Sequence, residues 1–284
     1  MQTISRRQLL GAGSAGAACL LAAAREAAAD PLGIPIGFQS YSVRSLLEKD
    51  FAGTLKQLAG VGYKTVELCS PIGYKDAAFS QLLKMKPAEV KQMLEDAGLK
   101  ATSCHYQLRE MNENLEECIA WAKAIGYNQM VVASMSIRPN SPMDAWRRAA
   151  DDMNKAGAVA RKAGMQLAFH NHHGEFAKID GVLIYDELLR RFDPEAVKMQ
   201  FQTAVISIGY EAVPYFEKFP GRFCSLHLAD WSAETKRMAP LGQGVIDWKK
   251  LFAASRKAGV KNYYVEMPLE LLNASYPYLK SLKV

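Results

Sequence analysis

The chain has 284 residues, 49% of them hydrophobic and 23% charged, with a formal net charge of +6. That supplies a large core, and the mild positive excess is not gathered into a basic cluster, which argues against nucleic-acid recognition through a charged face. The five cysteines form no CxxC pair, so neither a zinc ribbon nor a disulfide framework is indicated.

Residues 1–29 read as a leader. Arg6 and Arg7 precede a mild Ala/Gly/Leu run, and Ala27-Ala28-Ala29 suits a small-residue cleavage site. Ser5-Arg6-Arg7-Gln8-Leu9-Leu10 resembles the twin-arginine export signal, which places the mature protein in the periplasm as an expectation. An uncleaved anchor is the alternative, but a spanning helix needs about 20 apolar residues and this run is too short and too rich in Gly and Ala. No stable membrane insertion is expected after its removal. Cys19 lacks the large aliphatic residue expected before a lipoprotein cysteine. The leader carries three Arg and one Glu, so 255 residues and a net charge of +4 remain.

Beyond it one phrase recurs: "LAGVGYKTVEL", "LEDAGLKATSCH", "AKAIGYNQMVVA", "ARKAGMQLAFH", "FEKFPGRFCSLH", "SRKAGVKNYYVE". An amphipathic helix ends, a Gly stands where a left-handed C-cap belongs, and a β-branched or aromatic run follows. In chain order the predicted strands lie near 36–41, 64–68, 100–105, 129–133, 165–170, 198–202, 222–227 and 262–266. Helices fall near 50–60, 87–97, 112–124, 143–163, 180–192, 209–218, 247–258 and 273–282. Eight alternating units predict a (β/α)8 TIM barrel in one domain over 30–284. An open doubly wound sheet would normally show a Gly-rich phosphate turn after its first strand, and "GFQSYSVRS" has none.

In such a barrel the chemistry sits at the C-terminal strand ends. Those ends carry Gln39 and Tyr41, Glu67, His105, His170 and His172, Gln202, His227, and Glu266. The segment "LAFHNHHGEF" adds His173 and Glu175. Period-two geometry points His170 and His172 the same way if the strand continues, with His173 outside and Asn171 facing the helices or capping the turn. Each residue also has a plainer reading: Glu67 as one half of a rim ion pair, His105 as a hydrogen-bonded core histidine, Asp230 as a loop fastener, Tyr41 and Trp231 as packing. His227 and Glu266 each close a strongly apolar strand, where a charge is expensive to bury unless paired or metal-bound.

The segments "IGFQSYSVR", "GYKTVEL", "FHNHHGEF", "GRFCSLHLADW", "LGQGVIDW" and "YVEM", in this order, resemble the sugar phosphate isomerase/epimerase superfamily of xylose-isomerase-like TIM barrels. The resemblance spans essentially all of residues 34–284. It implies one divalent ion, often manganese, cobalt, magnesium or zinc, held by two carboxylates, an Asp and a His. His227 and Glu266 match two of those ligands, and Glu175 is the candidate for the first. Gln202 stands where the family's Asp ligand ends strand six, which lowers the charge of the site. Ala229 stands where the family carries Lys.

The expected substrate is a small non-phosphorylated carbohydrate, because an exported protein meets few sugar phosphates. The leading expectation is an isomerase or epimerase working through an enediolate. Glu175, Glu266 and His172 are the proton-transfer candidates, and Tyr41, Glu67, His105, His170 and Trp231 the substrate contacts. A lyase or dehydratase on 3-keto-glycosides or cyclitols is the first alternative. A non-catalytic sugar-binding barrel is the second.

Overall fold

Eight parallel strands close on themselves in the computed structural model, which describes residues 30–284. The expected leader lies outside the described residues. The strands are β1 (Gly37–Gln39), β2 (Thr65–Cys69), β3 (Lys100–Gln107), β4 (Gln129–Ser134), β5 (Gln166–His170), β6 (Val197–Gln202), β7 (Phe223–Leu228) and β8 (Asn262–Val265). They pair in the order β1-β8-β7-β6-β5-β4-β3-β2 to form a closed barrel. The long helices between and after them are α1 (Phe51–Val61), α2 (Pro87–Asp96), α3 (Leu115–Ile125), α4 (Met143–Lys162), α5 (Ile184–Arg191), α6 (Ala212–Lys218), α7 (Trp248–Ala258) and α8 (Leu269–Ser281). No described helix is long and apolar enough to cross a membrane.

The recurring glycine does what its position requires. Gly62, Gly98, Gly126, Gly164, Gly221 and Gly259, one per phrase, all have φ between 74° and 126°. A side chain there would strain the turn that feeds each helix into its strand. The helices bury one stripe each. In α4 that stripe is Met143, Trp146, Ala149, Ala150, Met153, Ala156, Gly157 and Ala160, the three-and-four spacing of a helix lying on a sheet. Gly157 also admits the backbone of the next unit, since a Cβ there would lie 2.5 Å from the Ala196 carbonyl oxygen.

Four predicted helices start elsewhere, the last of them, expected over 273–282, at Leu269. The helix expected over 112–124 is two segments, Leu108–Glu113 and α3, broken at Asn114. That expected over 180–192 begins at Ile184, because Lys178–Ile179 and Val182–Leu183 form a small hairpin through Asp180 and Gly181. That expected over 209–218 begins at Ala212, since Thr203–Ile208 is a 3-10 segment that Gly209 ends at φ 88°. The four described cysteines are free and buried, as small core residues.

A polar column runs down inside the barrel. Gln129 Nε2 donates to Ser225 Oγ at 2.8 Å, and Gln200 Nε2 donates to the same hydroxyl at 3.0 Å. Above these the polar side chains become ionisable, and they lead to the strand ends.

Candidate functional site

Glu67 anchors the site from below. Strand register sets it level with Gln39 on β1 and Ser103 on β3, and it is fully buried. Its Oε1 accepts from Ser103 Oγ at 2.6 Å and Gln200 Nε2 at 2.8 Å. Its Oε2 accepts from Gln39 Nε2 at 3.2 Å and faces His105 Nε2 at 2.9 Å and His227 Nε2. Burial pushes the Glu67 carboxyl up, but His105 and His227 outweigh it and hold the pKa well below the usual range.

His227 lies between two carboxylates. Its other nitrogen, Nδ1, is 2.9 Å from Glu266 Oε2, and the imidazole is fully buried. Burial alone would lower its pKa, but Glu266 and Glu67 raise it from 6.5 to about 9. Glu266 is half-buried at the end of β8. Burial pushes it up, and His227 overcomes this to bring it from 4.5 to about 2. Gln202 completes the edge: its Nε2 donates to Glu266 Oε2, and its Oε1 accepts from the Ala204 N–H at 3.1 Å.

His170 is the exception to this pairing. It is fully buried, yet no partner meets either ring nitrogen at hydrogen-bond geometry. Burial and then the neighbouring histidines hold its pKa well below 6.5, so the ring is neutral with a free lone pair. An unsatisfied buried polar group costs about 1–3 kcal/mol, so His170 calls for a partner. Its ring centroid is 4.3 Å from that of His227 and 5.0 Å from that of His105. One nitrogen from each of these three rings can be chosen so that all lie within 4.8 Å of one another.

The histidine-rich segment divides at the strand end. β5 stops at His170, and His172 and His173 are exposed. The His172 ring still meets His170 edge-on at 4.8 Å, so it stands over the cluster from the loop. His173 Nε2 lies 2.8 Å from Ser207 Oγ, tying this loop to the one after β6. Asn171 Oδ1 accepts from the Gln202 N–H at 3.1 Å, which ties the two strand ends.

The remaining candidate residues make contacts of their own. Glu175, expected as a metal ligand, is outside the three-histidine group, and its Oε2 accepts from the His172 N–H at 2.7 Å. The loop turns after Gly174, which brings this carboxylate back over its own backbone. Gln202, expected as a neutral ligand, spends its amide on Glu266 and Ala204. Tyr41 lies under Arg44, whose Cζ is 4.2 Å from the ring, and packs edge-on against Tyr74. Trp231 is half-buried in a two-stranded ribbon, Asp230–Ser232 with Arg237–Ala239. Gln200, Ser103 and Ser225 were not expected in the site. Each lies two residues before a strand-end residue that was, so period-two spacing carried the signal.

Asp230 fastens the loop beside the site. Its buried carboxylate accepts from the N–H groups of Trp231, Gly242, Gly244 and Ile246 at 2.9–3.3 Å, and from Trp248 Nε1 at 2.8 Å. Asp230→Ala orphans these donors together and is expected to cost about 3 kcal/mol. Chemical denaturation measures this, and an unchanged midpoint would refute the fastening role.

The electrostatics also set a pH profile for the chelator-treated protein. The lowered Glu266 pKa adds stability that is complete above 4.5 and lost as pH falls toward 2. The raised His227 pKa adds stability that is complete below 6.5 and lost as pH rises through 9. The lowered His170 pKa acts in the opposite sense, costing stability as pH falls below 6.5, so thermal midpoints should be highest near pH 6.5 and drop by pH 9. Adding a divalent ion should oppose the alkaline decline, since ligand nitrogens must be unprotonated. A flat profile from pH 6.5 to 9 without metal would contradict the paired state of His227.

Comparison with known proteins identifies the family of this barrel. The family described as xylose isomerase-like TIM barrel matches residues 55–281. An inosose dehydratase of Lacticaseibacillus casei is 22% identical over 231 residues, covering 68% of this chain and 77% of that protein. A sugar phosphate isomerase/epimerase of Parabacteroides distasonis ATCC 8503 superposes with a TM-score of 0.73 at 23% identity, over 88% of this chain and 96% of that one. The probable 3-DHS dehydratase AsbF of Bacillus anthracis gives 0.68 at 14%, over 88% and 100%. At these identities the two structures establish the shared fold.

Proposed function

The chain belongs to the xylose isomerase-like TIM barrel family, and we propose that it is a metal-dependent lyase that removes water from a keto-cyclitol or a related non-phosphorylated keto-sugar. The observation that carries this is the group of buried Glu67, His105, His170 and His227 with half-buried Glu266, gathered from five strand ends at one mouth. Burying so many ionisable groups destabilises a fold unless they are paired or hold an ion. The order of the two readings drawn from sequence is reversed. Sequence similarity runs to inosose dehydratases, whereas likeness to the solved isomerase/epimerase is one of fold.

The residues fit a divalent ion. His170 offers a nitrogen with no other partner, His227 and His105 stand beside it, and Glu266 supplies negative charge at the rim. When bound, the ion supplies Lewis acidity toward the substrate carbonyl and its neighbouring hydroxyl. Glu67, on the far nitrogen of His227, fixes the tautomer and orientation of that ring.

Glu266 is already engaged by His227 Nδ1 and Gln202 Nε2 and is assigned a role through its charge. Glu175 is assigned as the base that takes the proton from the carbon next to the carbonyl. His172, above the cluster, is assigned as the acid; desolvation lowers its pKa, so elimination draws on the fraction protonated at lower pH. The C–H electron pair becomes the new carbon–carbon double bond, the bond from the β-carbon to its hydroxyl breaks, and the proton from His172 completes the departing water. Export over residues 1–29 remains part of this proposal and favours a substrate without phosphate.

The test is incubation of metal-supplied protein with keto-inositols and 3-keto-glucosides, followed by mass spectrometry. Loss of one water from a keto-inositol is the expected result. A product of unchanged mass would support the isomerase reading, and a thermal shift without turnover would support a binding protein.

A further inference from the structure

We infer that the ion site is nitrogen-rich, built by His105, His170 and His227, and favours an ion such as zinc or cobalt(II) over manganese or magnesium held through carboxylates. This deepens the cation reading above and depends on it. The family resemblance implies two carboxylates, an Asp and a His, whereas this chain places His170 and Gln202 at the ends of β5 and β6. The Asp position has become neutral, and Gln202 is already committed to Glu266 and Ala204. Glu175, the other carboxylate that could have restored the charge, is turned to the His172 N–H.

What remains near the centre is three imidazoles, with Glu67 Oε2 behind His105 and His227 and Glu266 Oε2 2.9 Å from His227 Nδ1 at the rim. Nitrogens bound to tetrahedral zinc lie about 3.3 Å apart, given bond lengths of about 2.0–2.1 Å. The three donors, within 4.8 Å of one another, reach that spacing by side-chain movements on the order of an ångström. His170 needs no bond broken, because both its nitrogens lack partners. Imidazole suits zinc, cobalt, nickel and copper, while magnesium and manganese favour oxygen and depend on ligand charge.

Nearly any mixed site binds zinc more tightly than manganese, so that order alone decides nothing. The deciding measurements are X-ray absorption on the zinc-loaded protein and competition titrations of zinc against manganese in wild type and His170→Glu. Three imidazoles per zinc are expected in the wild type. The zinc-to-manganese affinity ratio is expected to fall about tenfold or more in His170→Glu, where a hard anionic ligand returns.

Two or fewer imidazoles, or an unchanged ratio, would overturn the inference. If His170→Glu does not fold, the imidazole count in the wild type decides alone. A protein that binds no divalent ion defeats both this inference and the cation reading. One that eliminates water with an oxygen-dominated ion shell defeats only the inference.

Discussion

His227→Ala is expected to abolish elimination, weaken zinc binding by at least about a hundredfold, and destabilise the metal-free protein by about 3–5 kcal/mol. The loss of stability is as large as for any single change at the site, because it comes from what stays behind. Glu67 Oε2 and Glu266 Oε2 each face a nitrogen of this one imidazole. Without it, a fully buried carboxylate keeps only His105 as an ionisable partner, and the rim carboxylate keeps Gln202. The double variant Glu67→Gln/His227→Ala removes the stranded charge and is expected to recover part of the stability without recovering activity. Denaturant unfolding of the chelator-treated proteins measures both. Equal stabilities for the single and double variants would mean that the buried charge is not what His227 neutralises.

Glu175→Gln is expected to lower kcat by about a thousandfold while leaving zinc affinity and the melting temperature close to wild type. The amide oxygen can still accept the His172 N–H, so the loop conformation survives and only the base is lost. Steady-state kinetics paired with a metal titration separates the two roles considered for this residue. A collapse of zinc affinity would make Glu175 a ligand, contrary to its place outside the histidine group. Unchanged kcat would remove it from the chemistry.

The barrel was legible because six of its eight units write their own boundary: a glycine with positive φ between a helix stripe and a buried strand. The helix starts were less legible. The helix expected from 209 begins only at Ala212, because Gly209, at φ 88°, ends the preceding 3-10 segment rather than opening the next helix.

At the mouth, strand-end position was enough to gather Glu67, His105, His227 and Glu266. Their partners were harder to see. Gln200 looks like one more polar residue in "VKMQFQ", and only the neighbouring strands show that it bridges Glu67, His105 and Ser225. Glu175 is the opposite case. The resemblance placed it at the metal, but a short 3-10 turn bends it back to His172, and no period along the chain encodes that turn.

The most direct test of elimination at this mouth is the reaction of zinc-loaded protein with a keto-inositol in heavy water, followed by NMR and mass spectrometry. The expected product lacks one water relative to the substrate, forms only with the ion present, and is lost in His227→Ala. A product that keeps all its oxygens and gains deuterium at the carbon next to the carbonyl would mean that the proton returns to carbon, and the protein would be an isomerase or epimerase.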